Sequence, residues 1–196
     1  MPTRAFLAIA LDDGLRGVLA QSAAAVRKNA PTWRGEKWVS AQNLHVTLAF
    51  LGLLEPPALD AAQRLAETVC NDHSPYTLGL ARVIPAPRPR SASMLWATVS
   101  DGYDETSELA DELATRLVEV GYEPPAREFT PHITLVRARR PRPVPSLALD
   151  AANDVIASAE PLDLAMSVQG VTVYSSTLTP QGPVYDQLAF LPLRGD

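Results

Sequence analysis

The stretch LHVTLAF at residues 44–50 has a near copy in PHITLVR at residues 131–137. Each copy places a histidine, an aliphatic residue, a threonine and a leucine in the same order, and the chain has 3 histidines in all. Side chains alternate between the two faces of an extended strand, so the histidine and the threonine of each copy share one face. We therefore predict two strands that bury an aliphatic row and present one imidazole with one hydroxyl.

The elements around the two copies follow one order. The first copy is preceded by a strand at 4–11 and by a helix from Asp13, with Asp12 or Asp13 as N-cap, to about Lys28. The second is preceded by a strand at 94–100 and an amphipathic helix at 105–122. His132 follows His45 by 87 residues, and Met94 follows Phe6 by 88. We predict one domain over residues 1–196 with an internal duplication, in strand–helix–strand units at about 4–52 and 93–138.

The rest of the chain predicts further short elements. Gly52 is expected to close the first histidine strand. The other predictions are a helix at 57–70, a strand at 76–84, an exposed loop at 137–145, a short helix near 149–158 and strand-like runs at 163–176 and 184–193. Because strands and helices do not alternate strictly, the fold class is α+β with mostly antiparallel sheets. Two similar lobes that face each other would bring both histidines to one cleft.

Composition narrows the class of protein. Hydrophobic residues make up 46% and charged residues 20% of the chain, as in ordinary globular proteins. A net charge of −5 excludes a protein that coats nucleic acid by bulk attraction, although a local basic pocket can still bind one phosphate. Apolar runs are too short to span a bilayer, and the N-terminus lacks a signal-peptide pattern. The single cysteine, Cys70, suits a reducing cytoplasm, and a monomer is the default expectation.

Paired imidazoles and hydroxyls suit phosphoryl transfer without a metal. The ordinary pKa of imidazole is near 6.5, so one ring can accept a proton while the other donates one. Threonine hydroxyls can donate hydrogen bonds to phosphate oxygens. A lone strand histidine is more often structural, but two copies in a repeat favour a catalytic pair. The sequence has no HExxH, CxxC, GxxxxGK[ST] or GxSxG motif, and His73 is interpreted as a surface residue.

The quoted motifs resemble those of the two-histidine (2H) phosphoesterases, most closely the LigT-like RNA 2′,3′-cyclic phosphodiesterases, also called 2′-5′ RNA ligases. The resemblance covers essentially the whole chain. It is carried by RAFLAIAL (4–11), NLHVTLAFLG (43–52), REFTPHITLVRAR (127–139) and VYSSTLTPQGPVY (173–185). It implies an α+β, bilobal 2H phosphoesterase fold, in which two pseudo-twofold-related lobes of mostly antiparallel sheets, with outer helices, surround a central cleft.

The resemblance also implies a reaction and its residues. The expected reaction hydrolyses a ribose 2′,3′-cyclic phosphate, on an RNA end or a nucleotide, to a 2′-phosphate, with no metal or nucleotide cofactor. Reversible 2′-5′ ligation is a further expectation. By position, His45 and Thr47 match the first motif, and His132 and Thr134 match the second. We expect His132 to activate water and His45 to protonate the departing 3′-oxygen.

Arg137, which follows the second motif, is the expected third phosphate ligand beside the two threonines. Strict alternation from His132 and Thr134 sends Arg137 to the opposite face, so a bulge or the end of the strand must redirect it. The same alternation places Phe50 of the first motif on the buried side. The alternative is that Arg137 is a solvated residue at a strand end.

Residues outside the motifs are weaker candidates for RNA contacts. Trp38 is a candidate for stacking on a terminal base, although packing between helix and sheet is the commoner role of a tryptophan. Arg139, Arg140 and Arg142 are candidates to guide an RNA backbone, or they form a solvated loop.

Two rival functions remain open at this point. The same pocket can open another cyclic phosphodiester, such as an ADP-ribose cyclic phosphate or a small cyclic nucleotide. A protein that binds a nucleotide or an RNA end without chemistry would also keep the cleft, although both motif histidines are present here.

Overall fold

A computed structural model of the protein describes residues 1–180 and 182–195. The strands are β1 (Thr3–Ala10), β2 (Lys37–Trp38), β3 (His45–Leu54), β4 (Tyr76–Ala86), β5 (Ala92–Val99), β6 (His132–Arg142), β7 (Ala165–Val168), β8 (Gly170–Thr179) and β9 (Gly182–Pro192). The helices are α1 (Asp13–Asn29), α2 (Pro56–Asp72), α3 (Tyr103–Leu117) and α4 (Ser146–Ala157).

The two histidine strands meet at the centre of one curled antiparallel sheet. Its strand order is β7-β4-β5-β6-β3-β1-β8-β9, and β2 pairs with β6 beside this path. A single residue pair, Val46 with Ile133, joins β3 to β6. The sheet therefore consists of two four-stranded halves that meet at the motifs. The expected α+β fold with antiparallel pairing in two lobes is confirmed.

The helices cross from one half of the sheet to the other. α1 follows β1 in the chain but packs on α4, which lies against β4. α3 follows β5 but packs on α2 and contacts β3, while α2 lies against β1, β8 and β9. Each half of the sheet is thus covered by helices that come from different parts of the chain, which ties the two halves together.

The periodicity of the helices predicts their buried faces correctly. The side chain of Asp12 accepts a hydrogen bond from the backbone N–H of Leu15 at 2.9 Å, which is the expected N-cap of α1. In α3, Leu109, Leu113 and Leu117 are fully buried, as their spacing of four residues predicts. The predicted helices at 57–70 and 149–158 and the predicted strand at 76–84 are also present, with ends that differ from the prediction by at most three residues.

Two expectations about strand ends are wrong. β3 continues past Gly52 to Leu54, because Gly52, at φ 76°, lies at an irregularity in the pairing of β1 with β3 and does not end it. β6 continues through the segment expected to be a loop and ends at Arg142, which pairs with Ala92. The residues between Arg137 and Arg142 bulge, because β6 advances five residues here while β5 advances two.

Two expected elements are divided or shortened. The run at 163–176 forms two strands: β7 pairs with β4 at one edge of the sheet, and β8 pairs with β1 in the other half. The chain leaves the first strand at Gln169, whose carbonyl accepts a hydrogen bond from Leu193 at 2.9 Å. The helix expected at 105–122 ends at Leu117 and is followed by a 3₁₀ turn and Gly121 at φ 85°. Among the described residues, no helix has both the length and the apolar character needed to cross a membrane.

Candidate active site

Both motif histidines line one cavity of about 550 Å³ between the two halves of the sheet. The five residues predicted for the site all line it: His45, Thr47, His132, Thr134 and Arg137. Arg4, Phe6, Asn43, Phe50 and Tyr185 contribute to the same lining. The structure therefore brings together every residue that the two motifs single out.

The pairing of Val46 with Ile133 fixes how the two motifs face each other. Continuing this antiparallel register by one residue places His45 opposite Thr134 and Thr47 opposite His132. The two imidazoles are then diagonal neighbours, and such neighbours lie roughly 7–8 Å apart with their Cβ atoms somewhat closer. This separation leaves space for a tetrahedral group between the two rings.

His45 has a defined tautomer. Its Nδ1 lies 2.7 Å from the carbonyl oxygen of Asn43, and its Nε2 lies 2.9 Å from Thr47 Oγ1. A carbonyl can only accept a hydrogen bond, so Nδ1 carries the proton of the neutral ring. Nε2 is then the basic nitrogen and accepts from the Thr47 hydroxyl. Proton exchange with a ligand therefore takes place at Nε2.

His132 is anchored in the same way but has different neighbours. Its Nδ1 lies 2.7 Å from the carbonyl oxygen of Thr130, so Nε2 is again the basic nitrogen. The Trp96 ring stacks on the imidazole, with centroids 3.8 Å apart and planes inclined by 25°. His45 instead contacts Phe6 and Tyr185 at centroid distances of 5.0 and 5.5 Å. The indole face fixes the plane of the His132 ring.

Burial lowers the pKa of both histidines below the ordinary value of 6.5. For each ring the hydrogen bond to the backbone carbonyl opposes this change, and the charge of Arg137 lowers the pKa further. The charge of His132 adds to the effect on His45, which reflects the closeness of the two rings. Without an anion in the cavity, both imidazoles are therefore neutral at pH 7.

Arg137 reaches the cavity through the bulge that its position requires. In β6, Thr134 pairs with Trp96 and Val136 with Leu95, so two residues of β6 oppose one of β5. Leu135 and Val136 are consequently both buried, and the alternation resumes with Arg137 on the cavity side. Arg137 donates from Nη1 to Met94 Sδ at 3.1 Å.

A matching bulge in β3 makes one expectation wrong. Ala8 pairs with Thr47 and Leu7 with Ala49, so Leu48 and Ala49 are both buried and the next side chain faces the cavity. That side chain is Phe50, which is 63% exposed and lies on the site side, not on the buried side. The first motif thus places an aromatic ring where the second places a guanidinium group.

The charged groups of the cavity lining are cationic. Arg4 and Arg137 line the cavity, and no carboxylate does so among the described residues. Within residues 1–180 and 182–195, no three His, Cys, Asp or Glu side chains are grouped as a metal site requires. Two guanidinium groups and the hydroxyls of Thr47 and Thr134 form a set of hydrogen-bond donors suited to an anion such as phosphate.

The structure places Trp38 outside the cavity, in a packed environment that favours the alternative role given for it. Its ring packs beneath the guanidinium group of Arg27, whose Cζ is 4.6 Å from the ring centroid. Its indole N–H donates to the Trp33 carbonyl at 2.9 Å. The aromatic rings that line the cavity are Phe6, Phe50 and Tyr185. Sequence reasoning missed them, because their signal, an aromatic residue next to a motif or a bulge, is common in ordinary cores.

The other basic residues considered from the sequence lie outside the cavity. Arg142 forms an ion pair with Glu36 at 2.7 Å and donates to the Thr32 carbonyl at 2.6 Å, so it is not free to guide RNA. Arg139 and Arg140 are exposed on the bulged part of β6. His73, expected on the surface, lies within 3.0 Å of Glu112 and links α2 to α3.

Comparisons with known proteins agree with this geometry. Residues 18–179 match the sequence profile described as the 2′-5′ RNA ligase superfamily. An Aeropyrum pernix protein named RNA 2′,3′-cyclic phosphodiesterase is 33% identical over 156 residues, which cover 78% of this chain and 83% of that protein. A protein of the same name from Methanothermobacter thermautotrophicus is 29% identical and covers 96% of this chain and 97% of that protein.

Solved structures show the same architecture. A crystal structure of a Thermus thermophilus protein matches with a TM-score of 0.78 and 28% identity, over 98% of this chain and 99% of that one. The crystal structure of Escherichia coli LigT complexed with 3′-AMP matches with a TM-score of 0.74 and 26% identity, over 98% of this chain and 99% of that one.

Proposed function

Because this chain belongs to the 2′-5′ RNA ligase superfamily, we propose that it is an RNA 2′,3′-cyclic phosphodiesterase that hydrolyses 2′,3′-cyclic phosphate ends to 2′-phosphates. The observation that carries the proposal is the diagonal pair of imidazoles in one cavity, each with a carbonyl-anchored Nδ1 and a basic Nε2. This arrangement supplies a proton acceptor and a proton donor on two sides of one phosphorus atom.

In the proposed reaction, His132 Nε2 takes a proton from water as the water oxygen bonds to phosphorus. The bond from phosphorus to the 3′-oxygen breaks, and His45 Nε2 gives that oxygen a proton. The 2′-ester bond remains, so the product carries a 2′-phosphate and a free 3′-hydroxyl. Trp96 supports the basic role of His132, because an indole face stabilises the imidazolium that forms there. In 2′-5′ ligation, the 5′-hydroxyl of a second RNA end would attack phosphorus in place of water, with His132 as the base and His45 again protonating the departing 3′-oxygen.

His45 must become protonated when the substrate binds, because a general acid needs a proton to donate. The buried rings are neutral without a ligand, and the negative charge of a bound phosphodiester raises the pKa of a neighbouring imidazole. A protonated His45 donates from Nε2 to Thr47 Oγ1, which frees the threonine hydrogen to bond a phosphate oxygen. Protonation of His45 and phosphate binding by Thr47 are therefore coupled.

The remaining groups of the cavity hold the charge of the phosphate. Thr134 faces His45 across the strand pair and supplies the second hydroxyl, and Arg137 supplies a guanidinium group. These donors act where negative charge develops on the non-bridging oxygens. A cationic lining without carboxylates supports a reaction that uses neither a metal nor a nucleotide cofactor. Because one chain lines the whole cavity, we propose an active monomer, and with its buried, unpaired Cys70 a cytoplasmic location.

The first test uses purified protein with 2′,3′-cyclic AMP in excess chelator. The expected product is 2′-AMP, and His45→Ala and His132→Ala are each expected to lower kcat by about 10²–10⁴-fold. His73→Ala is the matched control, since it removes the third imidazole, which lies outside the cavity, and should leave kcat within about twofold.

Four outcomes would contradict the proposal. A 3′-phosphate product would mean that the wrong bond breaks, and activity lost to chelator would indicate a metal. Turnover of an ADP-ribose cyclic phosphate, with none of 2′,3′-cyclic AMP or RNA ends, would assign a different substrate. Binding of nucleotide with no turnover at all would mean that the protein is a non-catalytic binding module.

A further inference from the structure

A second cavity, lined by basic and hydroxyl groups, lies beside the histidine cavity. Its volume is about 440 Å³, and it is lined by Pro87, Arg88, Ser91, Ser93, Arg127 and Pro141. The lining contains two guanidinium groups and two hydroxyls, and no acidic residue is part of it among the described residues. This set of hydrogen-bond donors has the chemistry of a phosphate site and lacks acceptor groups that would repel an anion.

The second cavity adjoins the first through β5 and β6. Arg137 of the histidine cavity donates to Met94 Sδ at 3.1 Å, and Ser93 of the second cavity is the next residue along β5. Pro141 lies on β6 beyond Arg137, in the bulged segment that pairs again at Arg142. Because β6 contributes Arg137 to the first cavity and Pro141 to the second, an RNA strand that leaves the first cavity along β6 would reach the second.

The arginines of the second cavity keep their charge free for a ligand. In the part of the chain that the structure describes, the ion pairs join Arg16 to Asp13, His73 to Glu112 and Arg142 to Glu36, and none involves Arg88 or Arg127. Residues 81–99 and 126–145, which contribute to the cavity, contain eight arginines and one acidic residue, and of these arginines Arg142 is paired with Glu36. A local positive field on a chain of net charge −5 indicates a surface that attracts an anionic polymer.

We propose that the second cavity binds backbone phosphates of a single-stranded RNA on the 5′ side of the terminal cyclic phosphate. This inference rests on the proposed function and adds a second binding site for the RNA, separate from the site that holds the reacting end. Arginine and serine contacts to phosphate carry no base information, so binding here is independent of sequence. The cavity adds affinity for the body of the RNA, while the histidine cavity holds the reacting end.

The test compares two substrates in the full-length protein. The double variant Arg88→Gln/Arg127→Gln is assayed on 2′,3′-cyclic AMP and on an eight-nucleotide RNA that ends in a 2′,3′-cyclic phosphate. Arg64→Gln/Arg116→Gln is the matched control, because it removes the same charge from exposed positions on α2 and α3.

The Arg88/Arg127 variant should lower kcat/KM on the RNA about tenfold or more and change kcat/KM on 2′,3′-cyclic AMP less than twofold. Since each phosphate contact to a single strand contributes about 0.7 to the slope of log affinity against log salt, the slope for RNA should fall by about 1.4. The control should behave as the wild type on both substrates. An equal loss on both substrates, or no loss on RNA, overturns the proposal.

A binding measurement separates failure of this inference from failure of the proposed function. If the wild type turns over neither substrate, the proposed function is wrong, but the second cavity is still tested with a labelled eight-nucleotide RNA that ends in a 2′-phosphate. Fluorescence anisotropy should then show binding about tenfold weaker in the Arg88/Arg127 variant than in the control. Equal binding by both variants rejects the cavity as an RNA site.

Discussion

Two imidazoles that share a cavity need not share a role, and the neighbours of His45 differ from those of His132. His45 Nε2 already has a hydroxyl partner in Thr47, whereas His132 lies against the indole of Trp96. When His45 is protonated, its Nε2 becomes a donor, and the Thr47 hydroxyl can donate to the phosphate instead. This change of hydrogen bonding suits the ring that donates a proton in the reaction. An aromatic face stabilises positive charge and suits the ring that gains one during the reaction.

The lowered pKa values predict an acidic optimum. The pH profile of kcat/KM reports ionisations of the free enzyme, in which the base must be neutral and the acid must be charged. Burial lowers the pKa of both rings below 6.5. The fraction of enzyme with one neutral and one charged ring is therefore largest below pH 6.5 and falls as the pH rises. We expect kcat/KM on 2′,3′-cyclic AMP to peak below pH 6.5, and the profile of kcat to lie at higher pH because the bound phosphate favours the charged form.

Two variants of Trp96 test the origin of this profile. Trp96→Leu keeps an apolar cover over His132 but removes the aromatic face, and should shift the optimum of kcat/KM to lower pH by about half a unit, as loss of roughly 1 kcal/mol of cation–π energy implies. Trp96→Phe should retain the wild-type optimum, because the indole N–H it removes has no partner among the described residues. An unchanged optimum in the leucine variant would mean that Trp96 only packs. A wild-type optimum of kcat/KM above pH 7 would contradict the conclusion that burial lowers the pKa of both imidazoles.

At the scale of elements, the bulges in β3 and β6 decide which side chains reach the site. Alternation alone predicts the positions of His45, Thr47, His132 and Thr134 correctly, because all four precede the bulges. It fails for Phe50, which follows the bulge in β3. The bulge in β6 could be predicted only because Arg137 was expected to bind phosphate, which requires its side chain to lie on the same face as His132 and Thr134. A bulge depends on pairing with a neighbouring strand, and that information is not local in the sequence.

Other elements show the same division between local and non-local information. The N-cap of α1 and the apolar spacing of α1 and α3 are local, and they predict the buried faces of both helices, although α3 ends at Leu117 and not at residue 122. The run at 163–176 has a continuous strand pattern, yet its two parts pair with opposite halves of the sheet. The second cavity also depends on tertiary structure, because Arg88 and Arg127 come from distant loops.

The ion pair of Glu36 with Arg142 fastens the segment before β2 to the end of β6. Glu36 is only 5% exposed, and Arg142 is 30% exposed. Arg142→Gln leaves a buried carboxylate without its charged partner, so we expect the free energy of unfolding to fall by about 1–3 kcal/mol. Denaturant unfolding measures this loss, and kcat/KM on 2′,3′-cyclic AMP should not change.

Arg140→Gln is the control for that substitution, since Arg140 is exposed on the same bulged segment. It removes the same charge and should alter the free energy of unfolding by less than about 0.5 kcal/mol. If both variants unfold like the wild type, the ion pair has no net stabilising effect. A loss of RNA turnover in Arg142→Gln without a loss of stability would restore the guiding role that the sequence suggested.

At the scale of the whole molecule, the two halves of the site correspond residue by residue. His45–Phe50 and His132–Arg137 have the same order of buried and accessible positions and a bulge at the same place. Phe6 pairs with Phe50 as Met94 pairs with Arg137. We propose on this basis that the units at 4–52 and 93–138 arose by duplication. Their difference, an aromatic ring against a guanidinium group, gives the site the asymmetry that a directed hydrolysis needs.

The crossed helices predict that the two halves unfold together. Only one residue pair joins β3 to β6, so the strands alone would let the halves separate. However, α1 packs on α4 over one half, and α3 packs on α2 over the other. Neither half therefore keeps the helices that cover it if the other half unfolds.

Two intrinsic probes report the unfolding of the two halves separately. Cys70 on α2 is fully buried, and burial raises its pKa to about 12, so its thiol is inert until the first half opens.

Trp33 and Trp96 report the second half by their fluorescence, since Trp33 donates to the Pro143 carbonyl beyond β6 and Trp96 lies on β5. We expect thiol reactivity and tryptophan fluorescence to change at the same urea concentration, as a cooperative transition requires. Because the first motif strand, β3, packs against α3 of the other unit, catalytic activity should be lost at that concentration too. If the thiol becomes reactive well before the fluorescence changes, the halves are independent. The cleft between the histidines would then be held by the Val46–Ile133 pair alone.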